Sequence, residues 1–193
     1  MPSDPPRPTP PVTPRPAAAV VGMRDGAEGL EVLVGQRSTA ARFMGGFWVF
    51  PGGQVDPEDG DGEDGFRRAA TRELAEEVSV VLPTTALVPF DRWITPEALP
   101  RRFDTYFFAA SIGADAQVRV DGHEIVASRW ETPHRLLADA DAGTAMISYP
   151  TLRQLERLRS WTSVADALES CAATANAHGV PAVLVPDDAP FRR

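Results

Sequence analysis

Between Phe47 and Val80 the chain passes from an apolar stretch, Phe47-Trp48-Val49-Phe50, through Pro51-Gly52-Gly53 and an acidic loop into a helical pattern, and this succession restricts the fold more than any other feature. The apolar run reads as a short strand, and Pro-Gly-Gly ends it. The loop from Asp56 to Gly65 is acidic, glycine-rich and without periodicity. A helix is expected from about Asp64 to Val78, with acidic residues at the end where the helix dipole favours them. On that helix Ala70, Leu74 and Val78 can pack into a core, while Glu73, Glu76 and Glu77 fall within about 100° of arc on another side. Three crowded carboxylates repel one another. A divalent hard cation would relieve the repulsion, since it prefers oxygen ligands, and carbonyls near Gly53 could add one more. A plain solvated acidic face is the other reading. Arg72, four residues before Glu76, can orient that carboxylate.

The rest of the chain reads as strands interleaved with helices. Ala18–Val21 and Leu30–Val34 flank a turn at Asp25–Gly29, which predicts a hairpin. Further strands are expected at Leu87–Ile94, Phe103–Ile112 and Ile125–Trp130. Thr132-Pro133 opens a helix, Pro150 to about Leu158 forms another, and a broken continuation through Val164–His178 follows. The fold class is α/β or α+β in one domain, residues 17–180. Residues 1–16 are Pro-rich and poor in large apolar groups, so a disordered tail is expected there; residues 181–193 read as a loosely ordered end.

Composition excludes several classes. A length of 193 residues suits one domain with a substantial core. No apolar run approaches the roughly 20 residues of a membrane span, and the start does not read as a secretory signal. The net charge of −8 argues against a general nucleic-acid binder. A phosphate-bearing small molecule remains open, because such a site needs only a few local cations. All 19 basic residues are Arg. Cys171 is the single cysteine, so no internal disulfide forms, and a cytoplasmic location is expected.

Strand, glycine loop and acidic helix together resemble the Nudix box, G-x5-E-x7-R-E-U-x-E-E-x-G-U, where U is bulky and apolar. Gly53 opens it and Arg72-Glu73-Leu74-Ala75-Glu76-Glu77-Val78-Ser79-Val80 closes it. The Gly53–Arg72 separation is five residues longer than the pattern's, and Ser79 replaces the late glycine. Counting back from Arg72, the first box glutamate corresponds to Asp64, with Glu63 beside it. The resemblance implies a Nudix fold, a mixed sheet sandwiched between helices with the box as loop-helix-loop. It also implies Mg²⁺ or Mn²⁺ held by Gly53, Glu73, Glu76 and Glu77, and attack of water on the pyrophosphate of a nucleoside diphosphate derivative. Glu73, Glu76 and Arg72 are the catalytic candidates. Glu124, in the turn before the last main strand, joins them because several Nudix enzymes take a further carboxylate from that region.

Upstream, Arg37-Ser38, Arg42, Gly46, Phe50-Pro51-Gly52-Gly53 and Asp56 resemble the coenzyme A diphosphatase signature L-L-T-x-R-[SA]-x3-R-x3-G-x3-F-P-G-G-x-x-D, with Val34-Gly35 departing from it. Trp93-Ile94-Thr95-Pro96, Arg101-Arg102-Phe103-Asp104-Thr105 and Pro150-Thr151-Leu152 resemble the peroxisomal branch, which also carries an insertion in the box. Coenzyme A or an acyl-coenzyme A is thereby implied as substrate, with Arg37, Arg42 and Arg102 as binding residues; bidentate arginines suit a 3′-phosphate. ADP-ribose or NADH hydrolysis, or a non-catalytic nucleotide-binding module, are the alternatives. Leu152, Leu155 and Leu158 are expected in packing or a homodimer face. Trp48, Trp93 and Trp130 are expected in the core, with stacking on an adenine as the other reading; His123 is expected to belong to its turn, and His134 and His178 to lie at the surface.

Overall fold

The computed structural model describes residues 12–41 and 43–186, leaving aside the side chains of residues 177 and 178. The Pro-rich segment up to residue 11, expected to be a disordered tail, lies outside the described residues. Strand β1, Arg15–Gly26, begins two residues before the expected start of order. It turns through Ala27-Glu28 into β2, Gly29–Arg37, so the hairpin turn is tighter than expected; Gly29 takes the positive φ of 110° that the turn needs. Then come β3 (Trp48–Val49), β4 (Gly52–Gln54) and α1 (Gly62–Val78). β5 (Val88–Ile94), β6 (Phe103–Ser111), β7 (Ile125–Glu131) and α2 (Pro133–Asp141) follow. The chain continues through α3 (Tyr149–Leu158), α4 (Val164–His178) and β8 (Val183–Leu184).

One mixed sheet has the order β3-β2-β1-β6-β5-β8, with β4 added to β1 and β7 to β2. β1 runs parallel to β6 from Arg15–Phe103 to Met23–Ser111, and β5 runs parallel to β8; the other pairs are antiparallel. Both faces are covered, so β1 is apolar at consecutive positions. Ala19, Val21 and Met23 pack with residues of α2, α3 and α4 on one face, and Ala18 and Val20 with Ala70, Leu74 and Val78 of α1 on the other. The sandwich of a mixed sheet between helices is as expected.

Several boundaries differ for local reasons. The glycines after Phe50 do more than end a strand, because Gly52–Gln54 pair with Ala19–Ala17 of β1. α1 starts earlier than Asp64, Asp61 standing before its first turn and Glu63 and Asp64 within it. Its exit explains the pattern's late glycine. Ser79 adopts φ 60°, a left-handed value that glycine takes freely, and its Oγ donates to Arg119 O at 3.0 Å. α4 is a separate helix, since Ser163 caps it by accepting the Asp166 N–H at 3.2 Å. The chain end is not loose throughout: Val183 and Leu184 pair with Trp93 and Ile94, while residues from 187 on lie outside the described residues. Leu152, Leu155 and Leu158 are core packing. Among the described residues no helix is long and apolar enough to cross a membrane.

Candidate active site

Burial of Ala69, Ala70, Leu74 and Val78 fixes how α1 rolls on the sheet, and that rotation places the glutamates. Glu77, only 4% exposed, is driven inward beside β4. Its Oε2 accepts the Gly52 N–H at 2.8 Å, and its Oε1 is buried without a hydrogen-bond partner. Burial pushes its carboxyl up to about 8; the Gly52 N–H opposes this in part, and the Glu73 and Glu124 carboxylates add to it. Glu73 lies directly over Gly53. A Cβ on Gly53 would stand 2.8 Å from Glu73 Oε2 and closer still to Oε1, so any side chain there would force this carboxylate to move. Burial raises the Glu73 carboxyl also, against the pull of Arg72. Glu76 stands out toward solvent.

Arg72 ties the acidic groups together. Its Nη1 donates to Glu73 Oε1 at 2.9 Å and Glu76 Oε2 at 3.1 Å. Its Nη2 donates to Asp59 Oδ2 at 2.9 Å and Gln54 O at 3.0 Å, and its Nε to Asp59 Oδ1 at 3.3 Å. This forked hydrogen bond to Arg72 holds the Asp59 carboxyl below the usual range, although burial opposes it. Counting back from Arg72 had pointed to Asp64 or Glu63, and neither takes the place. Glu63 pairs with Arg67 at 2.7 Å, and Asp64 is exposed in the first turn of α1. Asp59 is the sixth residue after Gly53, where the front half of the box pattern puts its acid, so the five extra residues follow Asp59 and build the start of α1.

Glu124 comes to the same cleft from the loop before β7. Asp121 shapes that loop by accepting the N–H groups of His123, Glu124 and Ile125 at 3.1, 2.8 and 2.8 Å. Burial would raise the Asp121 carboxyl, yet these three donors outweigh it and hold it low. The Glu124 side chain is 67% exposed and lies 3.9 Å from Arg37 Nη2. Arg37 sits at a bulge in β2, and its buried Nε has no hydrogen-bond partner.

The cleft has a volume of about 730 Å³. Gly53, Arg72, Glu73, Glu76 and Glu124 line it toward α1, and Arg37, Ser38 and His123 line it near the Glu124 loop. Trp93, Leu99, Phe103 and Tyr149 form an apolar wall. Trp48, Trp93 and Trp130 are all half-buried against the core, Trp48 and Trp130 stacking under Arg129 and Arg24 at 4.7 and 4.4 Å. Arg102 is a correction. It is 6% exposed and donates to Thr95 O and Val12 O at 3.0 and 2.8 Å, so it braces the chain, and its neighbour Arg101 lines the cleft instead. Arg42 lies outside the described residues, as does the His178 side chain. Cys171 is buried, and its thiol is pushed up to about 11 by burial, which removes it as a nucleophile.

The NUDIX domain model matches residues 13–155. The chain belongs to the NUDIX domain family. Over 162 residues this Nudix chain is 30% identical to a protein described as putative nudix hydrolase 7 of Caenorhabditis elegans, covering 66% of this chain and 55% of the relative. It thus spans about half the length of that curated relative. The NUDIX hydrolase structure from Alicyclobacillus acidocaldarius superposes with a TM-score of 0.73 at 25% identity, covering 81% of this chain and 96% of that one. The NUDIX domain of Shewanella oneidensis NrtR, solved with ADP ribose, shares the fold at a TM-score of 0.58 and 20% identity, over 77% of this chain and 88% of the other. Nudix hydrolases generally use divalent metal ions.

The residues fit such an ion. Among the described residues no three acidic, His or Cys side chains are grouped closely enough to hold a metal ion, so the fit is one of donor chemistry. An oxygen-only donor set, with the buried Oε1 of Glu77 unpartnered, suits a hard cation that keeps several of its waters. Gly53→Ala is expected to displace the Glu73 carboxylate and weaken Mn²⁺ binding by about tenfold or more, a loss typical of disturbed ligand positioning. Calorimetric titration of Mn²⁺ into both proteins checks it; equal affinities would detach Gly53 and Glu73 from the metal.

Proposed function

We propose that this chain hydrolyses the pyrophosphate linkage of coenzyme A or an acyl-coenzyme A, giving 3′,5′-ADP and a 4′-phosphopantetheine product, with Mg²⁺ or Mn²⁺. The observation that carries the hydrolytic part is the buried, unpartnered Oε1 of Glu77, set beside a Glu73 carboxylate that rests on Gly53. Glu73, Glu76, Glu77 and the Gly53 carbonyl would hold the cation, which when bound neutralises pyrophosphate charge and lowers the pKa of a coordinated water. Asp59 holds Arg72, and Arg72 keeps Glu73 and Glu76 aimed. Glu124 is free enough to accept the proton of the attacking water. Arg37 lines the cleft and would bind phosphate oxygens through its guanidinium. The coenzyme A part rests on the Arg37, Ser38, Arg42, Gly46 and Asp56 spacing.

Purified protein with Mg²⁺ or Mn²⁺ is to be assayed against coenzyme A, 3′-dephospho-coenzyme A, ADP-ribose and NADH. Coenzyme A should exceed its dephospho form in kcat/KM by roughly 10- to 150-fold, the worth of one charge-assisted hydrogen bond. Arg37→Ala or Arg42→Ala should remove most of that preference while affecting dephospho-coenzyme A far less. Faster cleavage of ADP-ribose or NADH would replace the substrate and leave the pyrophosphohydrolase. Tight nucleotide binding without turnover of any substrate would point to a binding module.

A further inference from the structure

The family match ends at residue 155, yet the chain beyond it returns to the cleft. After α4, Val183 and Leu184 pair in parallel with Trp93 and Ile94, and Val185 extends the ladder by donating its N–H to Ile94 O at 2.9 Å. Val183 and Leu184 are exposed, whereas Val185 is only 6% exposed and lines the cleft. Register accounts for this placing. Gln54, Ala17, Thr105, Trp93 and Val183 stand side by side across β4, β1, β6, β5 and β8. At about 4.8 Å between neighbouring strands, β8 lies roughly 19 Å from β4, where Gly53 meets Glu73. Side chains two residues apart share a face, so Val185 looks the same way as Ala17, Thr105 and Trp93, all of which line the cleft.

The wall that Val185 joins is apolar and held in place. Trp93 Nε1 donates to Asp91 Oδ2 at 2.6 Å, and the Trp93 ring stands edge-on to Tyr149 at 5.9 Å. Phe103 packs on Phe43 at 5.3 Å. We infer that Val185 is a specificity-determining residue, closing the apolar end of the cleft against an apolar or aromatic group of the substrate remote from the pyrophosphate. The inference rests on the cleft being a pyrophosphohydrolase site. A nucleobase and a hydrocarbon chain both meet that chemistry. Because β8 stands four strands from the glutamates, Val185 acts on binding and not on the bond-breaking step.

The test uses full-length Val185→Ala and Val185→Trp with Mg²⁺ on ADP-ribose, coenzyme A and decanoyl-coenzyme A. The Ala variant removes methyl contacts and should raise KM about fourfold, and Trp, which fills the space, about tenfold or more, both with kcat within about twofold of wild type. A rise shared by ADP-ribose and coenzyme A identifies the group as the adenine they have in common; a rise confined to decanoyl-coenzyme A identifies a hydrocarbon chain. If the Trp variant does not fold, the Ala variant carries the measurement. Unchanged KM on every substrate that the wild type cleaves, or an equal fall in kcat on all of them, overturns the inference alone. A wild type that cleaves none of them removes the functional reading, and the inference falls with it.

Discussion

Glu77→Gln is expected to abolish turnover and yet make the metal-free protein more stable at alkaline pH. The buried Glu77 carboxyl keeps its proton up to about pH 8, while in the unfolded chain it ionises near its ordinary 4.5. Between those values the folded state binds more protons than the unfolded one, so stability falls as pH rises, by about 1.4 kcal/mol per pH unit from this group at most. Burial raises the Glu73 carboxyl too, which adds to the fall in the same direction. Glutamine keeps the shape, can still accept the Gly52 N–H and has no proton to lose. Wild type minus variant should therefore be near zero at pH 4.5 and grow increasingly negative toward pH 8. Added Mg²⁺ reverses the order, because the wild type gains binding free energy that the variant forgoes. Thermal melts at several pH values with and without Mg²⁺ read both effects. Near wild-type activity at saturating Mg²⁺, or parallel melts across pH, would remove Glu77 from the metal site.

Glu124→Gln should lower kcat by about 10²-fold or more with a modest change in KM, the pattern expected when a general base is lost. Its backbone is fixed by Asp121, while its side chain reaches the cleft almost free of protein contacts. The variant should therefore melt with the wild type, since an exposed carboxylate 3.9 Å from Arg37 contributes little to stability. This separates it from Glu77, where the substitution changes stability as well as activity. Unchanged kcat at the optimal pH returns Glu124 to an ordinary turn residue.

The acidic helix and the glycine loop beneath it were legible because helical periodicity and the Gly53 turn are local signals. Glu73, Glu76, Glu77 and the buried Leu74 and Val78 all follow from one helix with a fixed rotation. Asp59 was missed for an equally local reason. An insertion breaks the count from one side only, and the pattern still holds when read forward from Gly53. Arg102 was misjudged through parity. Arg101, Phe103, Thr105 and Phe107 line the cleft, and Arg102, falling between them, goes to backbone carbonyls instead. β8 left no mark in the sequence, because two paired residues carry neither alternation nor a turn signal. Val185 becomes visible only once β5 offers it a free edge.

The pairing of β1 with β6 also sets an order of events during synthesis. β1 leaves the ribosome long before β6, and its early partners hold only parts of it: β2 pairs with Met23–Gly26 and β4 with Ala17–Ala19. The middle of the sheet, nine residue pairs from Arg15–Phe103 to Met23–Ser111, has to wait until the chain has been made through Ser111. Joining it closes a long loop, which makes this the slow, non-local step of folding. Until then the apolar run Ala17–Val21 presents an open strand edge, and a nascent chain halted before β6 is the species most exposed to aggregation.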